Sequence, residues 1–412
     1  GITLKLYDDR KLESKNGTCC AGADIRDARS VARKLNISHQ IINLESNFKQ
    51  SVIDNFVDSY IEGNTPIPCV RCNQTVKFND LFNFAKKINA DCLATGHYVR
   101  RVNIENEIFL QRGLDLSKDQ SYFMFATTSK QLKFLRFPLG FITKTETRKL
   151  AKKYELIVKD KPDSQDICFV PNGDYASVIE KLRPGAAEPG KIVHSDGKIL
   201  GTHAGIINYT VGQRRGLGIG GLNDPLYVIS LNVETREVVV GPKDLLKAKK
   251  IIVTQVNWLG DQSFLSANEW KLKVKVRSTR PPQNAIVKPK SDGSAKVELL
   301  EPEQGIGDAS ATTVVLAHSR PCADDSTLSG KAAVQAMALA KVDGTSSPFA
   351  PLSDAREKLA EARAELRGPK KLPPPPPSPL TLDPLPSKKP LTIATANGHR
   401  LPRRRMAVPS PV

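Results

Sequence analysis

The sequence predicts an α/β fold, in which a parallel sheet domain is followed by β-rich sequence. Two observations lead to this prediction. Over residues 1–99, short strand patterns alternate with helical patterns, and this alternation favours a parallel sheet covered by helices on both faces. Beyond residue 200, short β-rich stretches separated by turns replace the helices, which is typical of a small antiparallel barrel.

The N-terminal elements follow from their hydrophobic periods. GITLKL alternates like a strand, and ADIRDARSVARKL places its apolar residues on one helical face, with Asn36 as the expected stop. The strand HQIINL and the helices FKQSVIDNFVDSYI and VKFNDLFNFAKKI come next. A strand is predicted at 91–99, with TGHY near its end. Ligands bind at the carboxyl ends of parallel strands, so we expect TGHY to lie at a site.

Changes in composition divide the chain into four predicted parts. These are a sheet domain at 1–137, a small central domain at 138–204, an antiparallel β-barrel at 205–305 and a tail at 306–412. The central part contains the predicted helix TETRKLAKKYEL. The tail is rich in proline and poor in aromatic residues, so it cannot bury enough apolar area to offset chain entropy. We expect most of it to be disordered.

Composition also narrows the classes of partner. The 412 residues carry a formal net charge of +18, which favours a polyanionic partner such as nucleic acid over a merely solvated basic surface. No apolar run reaches the roughly 20 residues that a membrane helix needs. The N-terminus turns charged too early for a signal peptide. We therefore expect a cytoplasmic protein, or alternatively a mitochondrial one, with no membrane partner.

Seven cysteines at irregular spacing do not form the framework of a small secreted protein. Cys69 and Cys72 lie in the predicted loop GNTPIPCVRCNQ, just before a helix. A zinc site would need a second such pair. Cys19 and Cys20 could contribute, but residues adjacent in sequence rarely point at one metal, so no metal site is predicted. For Cys69 and Cys72, two interpretations remain: a redox pair or two inert cysteines.

Cys168 has nearby aspartates that would raise a thiol pKa, so its position alone indicates a buried small residue.

Seven motifs occur in a fixed order between residues 1 and 305. They are NTPIPCVRCNQTVKF, ATGHYVR, KDQSYF, KPDSQDICFVPNGDY, PGKIV, DGKILGTHAGIINYTVGQRRGLGI and YVISLNVETREVVVG. In order and spacing they resemble the tRNA-specific 2-thiouridylases. The resemblance implies an incomplete adenine-nucleotide-hydrolase-like parallel sheet domain, then a small central domain and a C-terminal antiparallel β-barrel.

The resemblance also implies an activity. Such an enzyme binds ATP with Mg²⁺ and tRNA, transfers AMP to O2 of the wobble uridine, and replaces this oxygen by sulfur. Cys168 matches the cysteine that carries a persulfide from a sulfur-relay donor protein, and Cys72 matches its disulfide partner. In one version the persulfide attacks the base directly, and in another Cys72 first liberates hydrosulfide. Cys69 stands where some relatives carry an aspartate, so no role is implied for it.

Further binding residues are implied by the same matching. Leu4 and Gly96 match residues that contact the nucleotide. The implied tRNA contacts are His97, Lys118, Asp119, Gln120, Arg277 and Arg280. The glycine-flanked basic loop 212–216 is either a phosphate contact or a plain surface turn.

Two departures from the family pattern modify these expectations. The family's S-G-G-x-D-S-S loop, which holds the pyrophosphate of ATP, is not found, because GITLKLYDDR resembles the second strand of the fold. Near residue 305 the sequence leaves the family's barrel pattern. We therefore expect little thiolation from these 412 residues alone. A catalytically inactive tRNA-binding remnant is the alternative.

Overall fold

The computed structural model describes residues 1–7, 21–104, 107–163, 166–170, 173–220, 224–259, 269–304, 313–317 and 336–339. Most of the predicted disordered tail lies outside the described residues, as do Cys19 and Cys20 of the zinc alternative. No described helix is long and apolar enough to span a bilayer.

The N-terminal part alternates strands and helices, as the sequence predicts. Its elements are β1 (Ile2–Lys5), α1 (Ala21–Lys34), β2 (Gln40–Asn43), α2 (Glu45–Phe48), α3 (Asp54–Ile61), α4 (Pro68–Cys72), α5 (Leu81–Lys87) and β3 (Leu93–Ala94). π-Helical segments at Lys49–Ile53 and Asn73–Asp80 join α2 to α3 and α4 to α5. After α1, Asn36 adopts a φ of 53°, a left-handed conformation that asparagine tolerates.

Two pairs of parallel strands confirm the α/β prediction. β1 pairs with β2, and β3 pairs with β6 (Leu135–Arg136). Among the strands that the structure describes, the two pairs form separate sheets.

The continuous strand predicted at 91–99 is wrong. This stretch divides into β3 and the start of β4 (Val99–Ile104), and β4 forms an antiparallel hairpin with β5 (Glu107–Arg112). Residues 95–98, TGHY, connect the two strands. They therefore lie at the carboxyl end of a parallel strand, where a site was expected.

Three helices follow the hairpin. They are α6 (Ser129–Phe134), α7 (Lys144–Lys153) and α8 (Tyr175–Leu182). Helix α7 forms where the sequence predicts one. It begins with a capping box, in which the Thr143 side chain accepts from the Glu146 backbone N–H while the Glu146 carboxylate accepts from that of Thr143.

The C-terminal strands form two sheets. Their bounds are β7 (Gly190–His194), β8 (Ile199–His203), β9 (Tyr227–Asn232), β10 (Glu237–Gly241), β11 (Lys247–Val253), β12 (Val256–Trp258), β13 (Trp270–Lys275), β14 (Gln283–Pro289), β15 (Ala295–Gln304), β16 (Thr313–Ala317) and β17 (Ala336–Leu339). The four-stranded sheet has the order β8-β7-β10-β9, and the seven-stranded sheet has the order β11-β15-β14-β13-β16-β17-β12.

These sheets differ in detail from the sequence prediction. The predicted strand AGIINYTV is wrong, because residues Ile206–Asn208 form a 3₁₀ turn. β16 and β17 lie in the stretch predicted to be mostly disordered. The boundary predicted between 204 and 205 falls between strands of one sheet, and the domain boundaries stay predictions. In β13, buried Leu272 and Val274 alternate with exposed lysines, so one face of the sheet covers a core.

Candidate active site

Cys69 and Cys72 lie on helix α4 and not in the loop that the sequence predicts. Pro68 stands in the first turn, where the missing N–H costs no helical hydrogen bond. Cys69 is exposed, whereas Cys72 is buried with Val70. The pair therefore presents one thiol to solvent and the other to the interior. Beyond Cys72 the chain continues directly into the π-helical segment Asn73–Asp80.

The segment that carries Cys168 shares an apolar cluster with the Cys72 helix. Cys72 belongs to the same apolar cluster as Phe169, the residue that follows Cys168. The Phe169 ring makes edge contacts with Phe56 and Phe48, at centroid distances of 5.2 and 5.7 Å. Cys168 itself is exposed, so the interpretation as a buried small residue is wrong. The structure brings together two cysteine segments that are far apart in sequence.

Tyrosine hydroxyls anchor this segment on both sides. Tyr7, just after β1, donates a hydrogen bond of 2.8 Å to the backbone carbonyl of Cys168. Tyr175, at the start of α8, donates one of 2.7 Å to Oδ1 of Asp166. The same oxygen accepts from the backbone N–H of Ile167 at 2.7 Å. The backbone around Cys168 is thus held by groups from β1 and from α8.

Lys77 supplies positive charge to the thiols. Hydrogen bonds in a π-helix run from residue i to i+5, so Lys77 lies one turn after Cys72 on the same side of the helix. Burial raises the pKa of the Cys72 thiol, and the Lys77 charge acts against this rise. Burial among neighbouring groups also raises the pKa of Cys69 although its side chain reaches solvent, and Lys77 again opposes the rise while Asp166 adds to it.

His97 follows β3 and packs beside the same helix. Its ring centroid lies 5.9 Å from that of Phe78 and 6.5 Å from that of Phe137. Its Nδ1 is 2.9 Å from Oγ1 of Thr95. Burial, and then the charge of Lys77, lower the pKa of His97 to about 3. The imidazole is therefore neutral at physiological pH and serves as a hydrogen-bonding group and not as a cation.

The residues predicted to contact the nucleotide lie on β1 and after β3. Gly96 is exposed, and a Cβ added there would meet Leu139 Cδ1 at 3.6 Å, an ordinary contact. Leu4 is half-buried and packs against the apolar cluster of Cys72. An exposed backbone and a half-buried apolar side chain suit the nucleoside end of ATP. Among the described residues, no group of three or more His, Cys, Asp or Glu side chains could hold a metal.

The turn formed by Lys118, Asp119 and Gln120 has all three of its side chains bonded within the protein. Oδ1 of Asp119 accepts from the backbone N–H of Gly113 at 3.0 Å. Oε1 of Gln120 accepts from the backbone N–H of Tyr98, the residue after the site histidine, at 2.9 Å. These groups hold the turn against the TGHY connection. The third side chain, that of Lys118, bonds instead to Asp163 of a later segment.

Three cationic side chains surround Asp163 beside the turn that contains Lys118. Nζ of Lys118 lies 2.9 Å from Oδ2, Nζ of Lys144 lies 2.8 Å from Oδ1, and the Arg148 guanidinium lies 3.7 Å from Oδ1. Hydrogen bonds from Lys144 and Lys118 lower the pKa of Asp163 to about 2. Lys118 also acts electrostatically on Asp115. The three cations thus outnumber the two carboxylates, Asp163 and Asp115. The cluster keeps an excess of positive charge that suits a phosphate.

Arg277 lies where the seven-stranded sheet meets the N-terminal part. The hydroxyl of Tyr122 donates a buried hydrogen bond of 3.0 Å to the backbone carbonyl of Val276. The Arg277 charge also acts on Tyr122 and opposes the rise in pKa that burial causes. Arg277 is therefore close to the turn of Lys118, Asp119 and Gln120, which precedes Tyr122 in the chain. Arg280 pairs at 3.2 Å with the buried carboxylate of Glu303.

Loop 212–216 owes its shape to Gln213. Its Oε1 accepts from the backbone N–H of Thr210, and its Nε2 donates to the carbonyl of Arg215, both at 3.0 Å. Arg214 and Arg215 are exposed. Both interpretations of this loop are consistent with that exposure.

Three family models match successive parts of the chain. The tRNA methyl transferase HUP domain matches residues 1–172, the tRNA methyl transferase PRC-barrel domain matches 178–242, and the aminomethyltransferase beta-barrel domain matches 248–309. The tRNA-specific 2-thiouridylase MnmA of Ruegeria pomeroyi is 58% identical over 312 residues, which cover 76% of this chain and 83% of the relative. This chain belongs to the tRNA-specific 2-thiouridylase family. The resemblance and the fold class predicted from the sequence are confirmed.

Other thiouridylases of the same name show similar agreement. Those of Dinoroseobacter shibae and Paracoccus denitrificans are both 56% identical over 312 residues, and the match covers 81% and 80% of their lengths. In both cases 76% of this chain is covered.

Sequence reasoning missed three residues of this thiouridylase site. Lys77 lies in a quoted motif, but an α-helical period would turn it away from Cys72, and the π-helical turn does not. Asp163 also lies in a motif, but its cationic partners come from other segments. Tyr7 donates a hydrogen bond to a backbone carbonyl. Every residue has such a carbonyl, so the sequence pattern does not predict this contact.

Proposed function

We propose that the protein catalyses the ATP-dependent 2-thiolation of the wobble uridine in tRNA, with Cys168 as persulfide carrier and Cys72 as its partner thiol. The shared apolar cluster of Cys72 and Phe169, the residue after Cys168, in a chain of the thiouridylase family, carries this proposal. The exposure of Cys168 supports loading by a sulfur-relay donor protein.

The thiol chemistry runs in two steps. The outer sulfur of the Cys168 persulfide bonds to C2 of the adenylated uridine, and the C2–O2 bond breaks as O2 leaves with the electron pair as part of AMP. The Cys72 thiolate then attacks Sγ of Cys168, the persulfide bond breaks, and its electron pair stays on the sulfur of the base. If Cys72 attacks first, hydrosulfide leaves and then bonds to C2. Either order produces 2-thiouridine and a disulfide between Cys72 and Cys168, which an external dithiol reduces.

Leu4 and Gly96 would border the nucleoside of ATP, which supplies the AMP group that makes O2 a leaving group. Mg²⁺ commonly binds through substrate phosphates and a few carboxylates and not in an all-protein cage. The Lys77 charge favours the Cys72 thiolate over the thiol. Neutral His97 offers a hydrogen bond beside the base without adding charge.

The proposed tRNA surface runs from the turn at Lys118 to Arg277 on the neighbouring sheet. The cations around Asp163 extend it with an excess of positive charge. Asp119 and Gln120 act through the turn that they hold. Arg280 is a weaker contact because Glu303 already pairs with it.

The test is formation of 2-thiouridine. The chain restored with the family's S-G-G-x-D-S-S segment, which serves as the unaltered protein in every turnover experiment, is incubated with tRNA, ATP, Mg²⁺ and a persulfide donor, and the tRNA is digested and analysed by mass spectrometry. We expect 2-thiouridine from the unaltered protein and from Cys92→Ser, a matched control because Cys92 is an exposed cysteine outside the site. Cys72→Ser and Cys168→Ser should form none. If tRNA gains no sulfur with the unaltered protein, the proposal is wrong.

A further inference from the structure

We infer that Cys69 is a resolving thiol, which takes the disulfide over from Cys72 and returns Cys168 to its free form. The inference rests on the proposed function, in which each turnover leaves Cys72 joined to Cys168. It gives a role to a residue that neither zinc binding nor the matched cysteine pair explains.

The geometry of helix α4 allows a bond between Cys69 and Cys72. The backbone N–H of Asn73 bonds to the carbonyl of Cys69, so the two cysteines are spanned by one helical turn. Residues three apart in an α-helix have Cα atoms roughly 5 Å apart. Disulfides need Cα atoms about 4.4–6.8 Å apart. The Cα spacing therefore fits a disulfide, and the Cβ atoms, about 5–6 Å apart on a helix, must approach by about 1–2 Å as the short helix adjusts.

The two cysteines differ in access to a reductant. Cys72 is buried at 8% relative exposure, within the apolar cluster that contains Phe169 and its aromatic neighbours. A protein dithiol must bring its own sulfur into line with the disulfide that it reduces, and such burial hinders this approach. Cys69 is exposed on the first turn of the same helix. Moving the disulfide to Cys69 brings one of its sulfurs to the surface.

Cys69 also lies beside the Cys168 segment. Asp166, two residues before Cys168, acts electrostatically on the Cys69 thiol. Phe169, just after Cys168, belongs to the same apolar cluster as Cys72. Cys72 thus has Cys69 one turn before it on its own helix, and the segment of Cys168 reaches the apolar cluster that contains Cys72. In the proposed exchange, Cys69 is the attacking thiol, Cys72 supplies the central sulfur and Cys168 is the leaving thiol.

The exchange is balanced in atoms and electrons. Cys69 loses its proton, and its sulfur attacks Sγ of Cys72. The bond between Cys72 and Cys168 breaks as the bond between Cys69 and Cys72 forms, and the electron pair leaves on Cys168, which takes up a proton. A protein dithiol of the thioredoxin class then reduces the new disulfide and is itself oxidised.

The first experiment needs no tRNA. Full-length protein is equilibrated in a glutathione redox buffer, acid-quenched and alkylated, and its disulfides are mapped by mass spectrometry. We expect the unaltered protein to join Cys69 to Cys72 and to leave Cys168 alkylated. Cys69→Ser should instead join Cys72 to Cys168, and Cys92→Ser should behave like the unaltered protein. A disulfide between Cys72 and Cys168 in the unaltered protein, with Cys69 fully alkylated, overturns the inference.

The second experiment compares turnovers. With a thioredoxin-class reductant, Cys69→Ser should equal the unaltered protein in its first turnover and fall several-fold behind in later ones. Equal steady-state rates would overturn the resolving role while leaving the thiolation chemistry intact. Absence of any 2-thiouridine from both proteins would remove the proposed function, and the disulfide map would still decide which thiols exchange.

Discussion

The hydroxyl of Tyr7 donates a hydrogen bond of 2.8 Å to the backbone carbonyl of Cys168. It joins the end of β1 to a loop far away in sequence. Leu4 of the same strand packs in the apolar cluster that contains Cys72. One strand therefore borders the proposed nucleotide side of the site and also holds the backbone of the thiol that receives sulfur.

Replacing this hydroxyl should slow sulfur transfer. Tyr7→Phe loses a hydrogen bond worth about 0.5–1.5 kcal/mol, so we expect kcat for thiolation to fall roughly 2- to 10-fold. KM for tRNA should not change, because the bond touches no tRNA contact. Tyr154→Phe, at an exposed tyrosine on the end of α7, is the matched control. A change in KM with kcat intact would contradict the positioning role.

Removing the charge of Lys77 should shift the pH dependence of thiolation upward. Lys77 opposes the rise in thiol pKa that burial causes, so Lys77→Met leaves the pKa of Cys72 higher. Less thiolate is then present at neutral pH, and the rising limb of the rate against pH moves to higher pH. Lys77→Arg should retain the original profile. Lys87→Met, at an exposed lysine on α5, tests for unspecific charge effects.

Asp163 should contribute to stability in a defined range of acid pH. Its pKa is lowered from 3.8 to about 2 in the folded protein, so its ionised form is stabilised by folding. This stability is complete above pH 3.8 and is lost as the pH falls towards 2. In urea unfolding, Asp163→Asn should therefore lose less free energy over this range than the unaltered protein. Asp160→Asn, at an exposed position, should follow the unaltered protein.

Arg277 should contribute to tRNA affinity through charge. Arg277→Ala should weaken binding and reduce the slope of log affinity against log salt by about one unit. Binding titrations of tRNA over a range of salt concentrations measure this slope. An unchanged slope would remove Arg277 from the proposed tRNA surface.

The ends of two helices were predicted correctly because the signals that set them are local in the sequence. Helix α1 ends before Asn36, and α7 begins at the Thr143 cap, because periodicity and capping residues act within a few positions. The strand at 91–99 was wrong because pairing decides it: β3 lies parallel to β6, whereas β4 turns away to meet β5. A sequence pattern contains no information about which partner a strand will find.

For the candidate site as well, some residues could be predicted from the sequence and others could not. Family motifs predicted Cys72 and Cys168, and the structure adds the groups around them. The burial of Cys72 and the exposure of Cys168 depend on which segments pack together, which spacing cannot reveal. The π-helical turn that places Lys77 beside Cys72 has no marker in the pattern of hydrophobic residues.

The central claim is that Cys72 and Cys168 are the pair that transfers sulfur. The most direct test uses Cys69→Ser, in which the disulfide between Cys72 and Cys168 cannot be exchanged for one with residue 69. After one turnover the protein is acid-quenched, and 2-thiouridine and disulfide peptides are quantified together. We predict one disulfide between Cys72 and Cys168 for each 2-thiouridine formed. Formation of 2-thiouridine while both cysteines remain free to react with an alkylating reagent would contradict the claim.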